Sequence, residues 1–124
     1  MTPVFFIAIA VGGFFGSITR AWIGRKMTVR TFPAATFTVN ILGSFLFGAF
    51  VHAQDKLPPW LSLALLTGFC GAFTTFSTLI LETVILFRAK QTKPAFAYLF
   101  LTIIISILSS ACGLWLGSYL IKHV

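Results

Sequence analysis

The sequence predicts an all-α membrane protein of four transmembrane helices, with the third helix broken near its middle. Three observations predict it. Hydrophobic residues make up 58% of the 124-residue chain and charged residues 9%, with a mean hydropathy of +1.00, which leaves too little polar surface to enclose a water-soluble core. Apolar runs occupy about residues 3–23, 36–53, 60–87 and 95–121, each near or above the roughly 18–20 residues that carry a helix across a bilayer. The third run contains GFCGAFTTFST at residues 68–78, where glycines and hydroxyl residues replace the leucines a spanning helix ordinarily uses. Connections are short, so residues 1–124 read as one four-helix domain.

The first run continues through Trp22 and is too long for the apolar core of a secretory signal, so it reads as a retained helix. Gly12-x-x-x-Gly16 in this run and Gly113-x-x-x-Gly117 in the fourth are spacings that let membrane helices approach closely. They favour oligomerisation, which is expected because four helices alone fill their own centre. Arg20 stands near the end of the first helix, where its default role is to snorkel to the interface.

In the second run Asn40, the only asparagine, offers two amide N–H donors. It serves either as a helix–helix hydrogen bond or as a donor to a ligand. In the third run Gly68, Gly71, Thr74, Thr75, Ser77 and Thr78 favour an opened turn, tolerated in a membrane only where the backbone is buried, lines water or holds an ion. Freed carbonyls suit a hard cation such as sodium, while the hydroxyls, Phe73 and Phe76 can face a pathway. The bland alternative is a helix made flexible by glycine. Glu82 is the only carboxylate within a span and is a functional candidate on that ground.

Tyr98, Thr102, Ser106 and Ser110 recur every fourth residue in the last run, so they share one helix face. They form either a ladder of donors or a set of hydroxyls bonded back to their own helix. Cys70 and Cys112 lie inside spans and are expected to form no disulfide and bind no metal. His52 and His123 sit at helix ends without partners at ligand spacing.

Three stretches together are similar to a known family: GGFFGSITR at residues 12–20, TVNILGSF at 38–45, and GFCGAFTTFST at 68–78 followed by Glu82. The chain resembles the Fluc (CrcB) family of small fluoride channels over essentially its whole length. The resemblance implies a multi-pass plasma-membrane protein that lets toxic cytoplasmic fluoride leave by passive electrodiffusion. It further implies an antiparallel, dual-topology dimer with two narrow pores and a central structural sodium ion, held by the backbone carbonyls of Gly71 and Thr74 from both subunits. Asn40 would donate to fluoride, helped by Thr38, Ser77 and the track of Tyr98, Thr102, Ser106 and Ser110. Phe76 would present its ring edge, and Arg20 and Glu82 would flank the polar route. Family members carry a second phenylalanine three residues after the first, whereas this chain has Leu79, so aromatic contact would rest on Phe76.

With alternating helices, Arg25, Lys26, Arg30, Arg88, Lys90 and Lys93 fall on one side and Lys56 and Lys122 on the other. The positive-inside rule then puts both termini outside. Either an antiparallel homodimer forms despite this bias, or the chain pairs with a paralogous chain inserted the other way. A proton-coupled multidrug or guanidinium exporter is the nearest rival, but such a class needs a carboxylate in the first helix, which is absent here. A non-transporting membrane subunit is a third reading. The net charge of +7 suits membrane-facing loops and lipid headgroups better than nucleic acid in so apolar a chain.

Overall fold

The computed structural model describes residues 2–27 and 32–123; Arg30, counted above among the loop cations, lies outside the described residues. Helix α1 (Pro3–Lys26) starts with proline at its first position, where no intrahelical N–H is needed. Helix α2 (Ala34–Ala53) follows Pro33 and closes in a 3-10 turn at Gln54–Lys56. The Pro58–Pro59 pair then opens α3 (Pro59–Ser62), again with proline at the start. From there the chain runs through a π-helical stretch, Leu63–Cys70, into the single turn α4 (Gly71–Phe73). Thr74 and Thr75 are extended, with φ/ψ of −83/158 and −150/117, before α5 (Phe76–Arg88) begins. Helix α6 (Thr92–His123) completes the chain. Four helical spans, with Pro59–Arg88 counted as one, are long and apolar enough to cross a membrane.

The spans pack as two parallel pairs, and glycine sets the closeness of each. A Cβ on Gly12 or Gly16 of α1 would overlap the carbonyl oxygens of Ala64 and Phe69 in the third span. On the other side, a Cβ on Gly48 of α2 would strike Ser110, and one on Gly113 of α6 would strike Phe45. Both GxxxG spacings are therefore consumed inside the chain. The sequence reading assigned them to oligomerisation; the structure corrects this, because these glycine faces already lie against neighbouring backbone. Ser109 fastens the second pair by donating to the Ile41 carbonyl at 2.9 Å.

Glycine does not open the third span. Gly71 keeps α-helical angles, φ −62 and ψ −37, and Gly68 lies in the π-helical stretch against Ile9 and Gly12 of α1. The two extended residues are threonines. Thr74 N–H and Oγ1 both donate to the Cys70 carbonyl, at 3.1 and 2.9 Å, so the first segment is sealed by its own last residue. Thr75 caps the second by accepting from Thr78 N–H at 3.3 Å, the ordinary service of an N-cap hydroxyl.

At the α5–α6 corner Lys90 has φ 60. Lys90 N–H donates to Phe87 O and Gln91 N–H to Leu86 O, which is a Schellman ending with lysine where glycine is usual. Elsewhere the surface is richly apolar: Val4, Phe6, Ile7, Phe14, Ile107 and Trp115 are all exposed, as lipid-facing residues should be.

The glycine interfaces make a direct expectation. Gly12→Ala and Gly113→Ala are each expected to destabilise by about 1–3 kcal/mol through overpacking against backbone, read as a lower midpoint of thermal unfolding in detergent. Gly24→Ala, whose Cβ would meet nothing within 4 Å, is expected to leave the midpoint unchanged or raise it, since alanine favours helix by about 1 kcal/mol.

Candidate functional site

The two helix pairs meet at the Thr74–Thr75 interruption, and Asn40 of α2 reaches into it. Its Oδ1 accepts from Thr75 N–H at 2.8 Å, and its Nδ2 donates to the Thr75 carbonyl at 3.0 Å. In an unbroken helix the Thr75 amide would bond the carbonyl four residues back, Gly71. Asn40 substitutes for that partner. The neighbouring Gly43 makes room, because a Cβ there would collide with the Thr74 side chain. Asn40 is itself buried, and one of its two amide hydrogens remains after the bond to Thr75.

Toward the end of the bundle that carries Arg25, Lys26 and Arg88, α2, α5 and α6 converge on Glu82. Thr36 Oγ1 donates to Glu82 Oε1 at 3.0 Å and Tyr98 Oη to Oε2 at 2.6 Å. Both carboxylate oxygens thus hold a hydroxyl. Arg20 of α1 lies across the same cavity, of about 320 Å³, lined also by Thr75 and Thr78. The guanidinium reaches the Thr74 carbonyl at 3.4 Å, so Arg20 points inward rather than to the interface.

On the far side of Asn40 a second cavity, of about 370 Å³, is bordered by Ser44, Phe76, Leu79, Thr102 and Ser106. The Ser106 hydroxyl is buried and has no hydrogen-bond partner among the described residues. Phe76 is 68% exposed while Leu79, three residues on, is 2% exposed; the aliphatic residue forms the cavity's inner wall and the aromatic one its open rim. Ser110 lies in a third cavity with Gly43, Cys70, Gly71 and Thr74.

The hydroxyl stripe of α6 is therefore divided by its neighbours. Tyr98 is committed to Glu82, and Thr102 donates back to the Tyr98 carbonyl at 2.6 Å; Ser106 and Ser110 face cavities. Ser77 is exposed beside Thr75, 3.4 Å from its hydroxyl. Thr38 lines none of these three cavities.

Sequence reasoning passed over Thr36 and Ser44, and named Thr75 only among the residues that favour an opened turn. The signal for the first two was present: Thr36, Asn40 and Ser44 recur every fourth residue on α2, the same pattern that singled out the α6 stripe. Thr75 and Thr78 carry the spacing of an N-cap with a partner three residues on.

As a cation site, the interruption offers carbonyl oxygen. Thr75 N–H goes to Asn40 and Thr78 N–H to Thr75 Oγ1, so neither Gly71 O nor Thr74 O is held by the amide four residues ahead. Gly71 faces open space. Neutral carbonyl donors suit a hard monovalent cation, and among the described residues no group of His, Cys, Asp or Glu could hold a metal instead. One chain supplies two such oxygens, with Arg20 beside one of them.

Comparison with known proteins bears on what this arrangement serves. A fluoride-specific ion channel FluC 2 from Bacillus cereus is 46% identical over 114 residues, covering 90% of this chain and 95% of that protein. A fluoride-specific ion channel FluC from Ignicoccus hospitalis is 42% identical over 118 residues, covering 92% and 95%. A FluC 1 channel from Ligilactobacillus salivarius is 42% identical over 113 residues, covering 90% and 97%. The model of the CrcB-like protein, Camphor Resistance (CrcB) family matches residues 7–114, which span the first glycine face, the Asn40 clamp, the Thr74–Thr75 interruption and Glu82; on this match the chain belongs to the CrcB family.

Proposed function

We propose that this chain is a fluoride-selective channel, a passive path for the anion rather than an enzyme or a proton-coupled exporter. Its similarity to proteins named fluoride-specific ion channels supports the reading. The observation that carries it is the cavity beside Asn40, whose lining holds amide and hydroxyl groups and no carboxylate. Fluoride is small, strongly hydrated and only accepts hydrogen bonds. A path that strips its water must supply donors and the electropositive edges of aromatic rings.

The second amide hydrogen of Asn40, the unpartnered Ser106 hydroxyl and the ring edge of Phe76 are the groups that meet this need. Ser44 adds another hydroxyl on the same lining. Arg20 draws the anion into the neighbouring cavity, where the hydroxyls of Thr36 and Tyr98 occupy Glu82 and blunt its repulsion. Tyr98 and Thr102 orient this wall instead of serving as successive donors, because their hydrogens are already committed.

In this reading a second copy, inserted antiparallel, covers the exposed Phe76, Ser77 and Gly71, and the break in the third span belongs to that dimer axis. Gly71 and Thr74 carbonyls from both copies would hold a sodium ion, which supplies the positive charge that lets facing carbonyls approach. The uneven placement of lysine and arginine favours a second possibility for the partner, a paralogous chain of opposite bias. Conduction by this chain purified alone selects the homodimer.

Proteoliposomes containing the chain are expected to release fluoride while retaining chloride, measured with ion-selective electrodes; equal release of both anions would sink the assignment. Asn40→Asp removes both amide donors and adds a like charge. With a hydrogen bond to an ion contributing about 1.5–3 kcal/mol, fluoride flux is expected to fall by about tenfold or more, with assembly checked by gel filtration; unaltered flux would rule out Asn40 as a donor to the ion. Replacing sodium by choline during purification is expected to lower the thermal midpoint of the assembled protein, because loss of a ligand bound only by the folded state removes its stabilisation. A midpoint indifferent to sodium would argue against the ion.

A further inference from the structure

We infer that the α5–α6 corner is a binding site for the headgroup of an anionic phospholipid. Arg88 stands in the last turn of α5, Lys90 in the corner and Lys93 in the first turn of α6, all three exposed. Three exposed cations within six residues concentrate positive charge at one corner, which an anion beside them would offset. The chain cannot supply it. It has two acidic side chains in all: Glu82 is held by Thr36 and Tyr98, and Asp55 lies in the turn at the opposite end of the bundle.

The backbone sharpens the inference. Lys90 sits at φ 60, a left-handed position that glycine occupies without strain and that other L-residues adopt against steric resistance from their Cβ. A cation kept in place of glycine at a helix ending is an outlier that points to a role for the charge. Directly inward, Phe87 and Phe96 form an edge-to-face pair with centroids 5.0 Å apart, and both rings are exposed. Aromatic rings below a ring of cations match the layering of a membrane interface, glycerol and acyl carbons inside and phosphate outside. At the other end of the bundle Lys56 already donates to the Ile121 carbonyl at 3.4 Å, leaving Lys122 as the remaining cation there. The occupant that fits is a lipid phosphate, since it alone presents the anion at the depth set by the aromatic pair.

The test uses the full-length chain in nonionic detergent, titrated calorimetrically with short-chain phosphatidylglycerol and, separately, phosphatidylcholine. Phosphatidylglycerol is expected to bind at least about tenfold more tightly, each engaged cation adding roughly fivefold, and the preference is expected to vanish near 1 M salt, where the screening length is about 3 Å. Arg88→Gln with Lys93→Gln should cut the preference to about fivefold or less, the share of Lys90 alone, and Lys56→Gln with Lys122→Gln should leave it intact. Lys90→Gly separates charge from fold, because it should weaken phosphatidylglycerol binding while raising the thermal midpoint. Equal binding of the two lipids, a salt-insensitive preference, or a preference undiminished by Arg88→Gln/Lys93→Gln would overturn the site. Displacement of the lipid by equimolar inorganic phosphate would also overturn it, since the corner would then recognise phosphate without a bilayer.

Discussion

The two-point bond between Asn40 and Thr75 is the constraint on which the rest of this architecture turns. A helix interrupted inside a membrane leaves amides and carbonyls with no water to turn to, and each such group costs several kcal/mol if left bare. One side chain from α2 answers both polar atoms of Thr75 at once. With that residue satisfied, the third span can change direction at Thr74–Thr75, and the carbonyls of Gly71 and Thr74 are released from helical service.

Everything that positions Asn40 follows from close backbone approach. The parallel pair of α2 and α6, drawn together at Gly48 and Gly113, sets the height of α2. Gly43 removes the one Cβ that would hold α2 away from Thr74. The pair of α1 with the third span, drawn together at Gly12 and Gly16, brings Arg20 to the same depth. Small residues thus act here within the chain, while the face carrying Phe76 and Gly71 stays exposed.

Polar groups in this bundle fall into those already satisfied and those still available, and chemical type does not separate the two. Tyr98, Thr102 and Ser106 lie on one face of one helix, yet the first serves Glu82, the second serves its own backbone and the third has no partner among the described residues. Two hydroxyls on Glu82 lower the electrostatic penalty of a carboxylate beside the proposed anion route. Leu79 forms an aliphatic wall of the cavity beside Asn40, so on the proposed route the ring edge of Phe76 stands alone.

Length of apolar runs, proline placement and hydropathy determined four spanning helices from the sequence by itself, because a backbone in hydrocarbon has few ways to satisfy its own polar groups. The same reasoning found Asn40, Glu82 and the α6 stripe, since any polar atom in so apolar a chain calls for a reason. It spread the loosening of the third span over glycines and hydroxyl residues from Gly68 to Thr78, whereas only the tertiary structure puts Gly68 into packing against α1, keeps Gly71 helical and confines the extended residues to Thr74 and Thr75. The reason is that φ, ψ and hydrogen-bond partners there are decided by a side chain 35 residues distant in sequence, and no local propensity contains that contact. For the same reason the fate of each hydroxyl, committed or free, was settled by which carboxylate, carbonyl or cavity the neighbouring helix brought beside it.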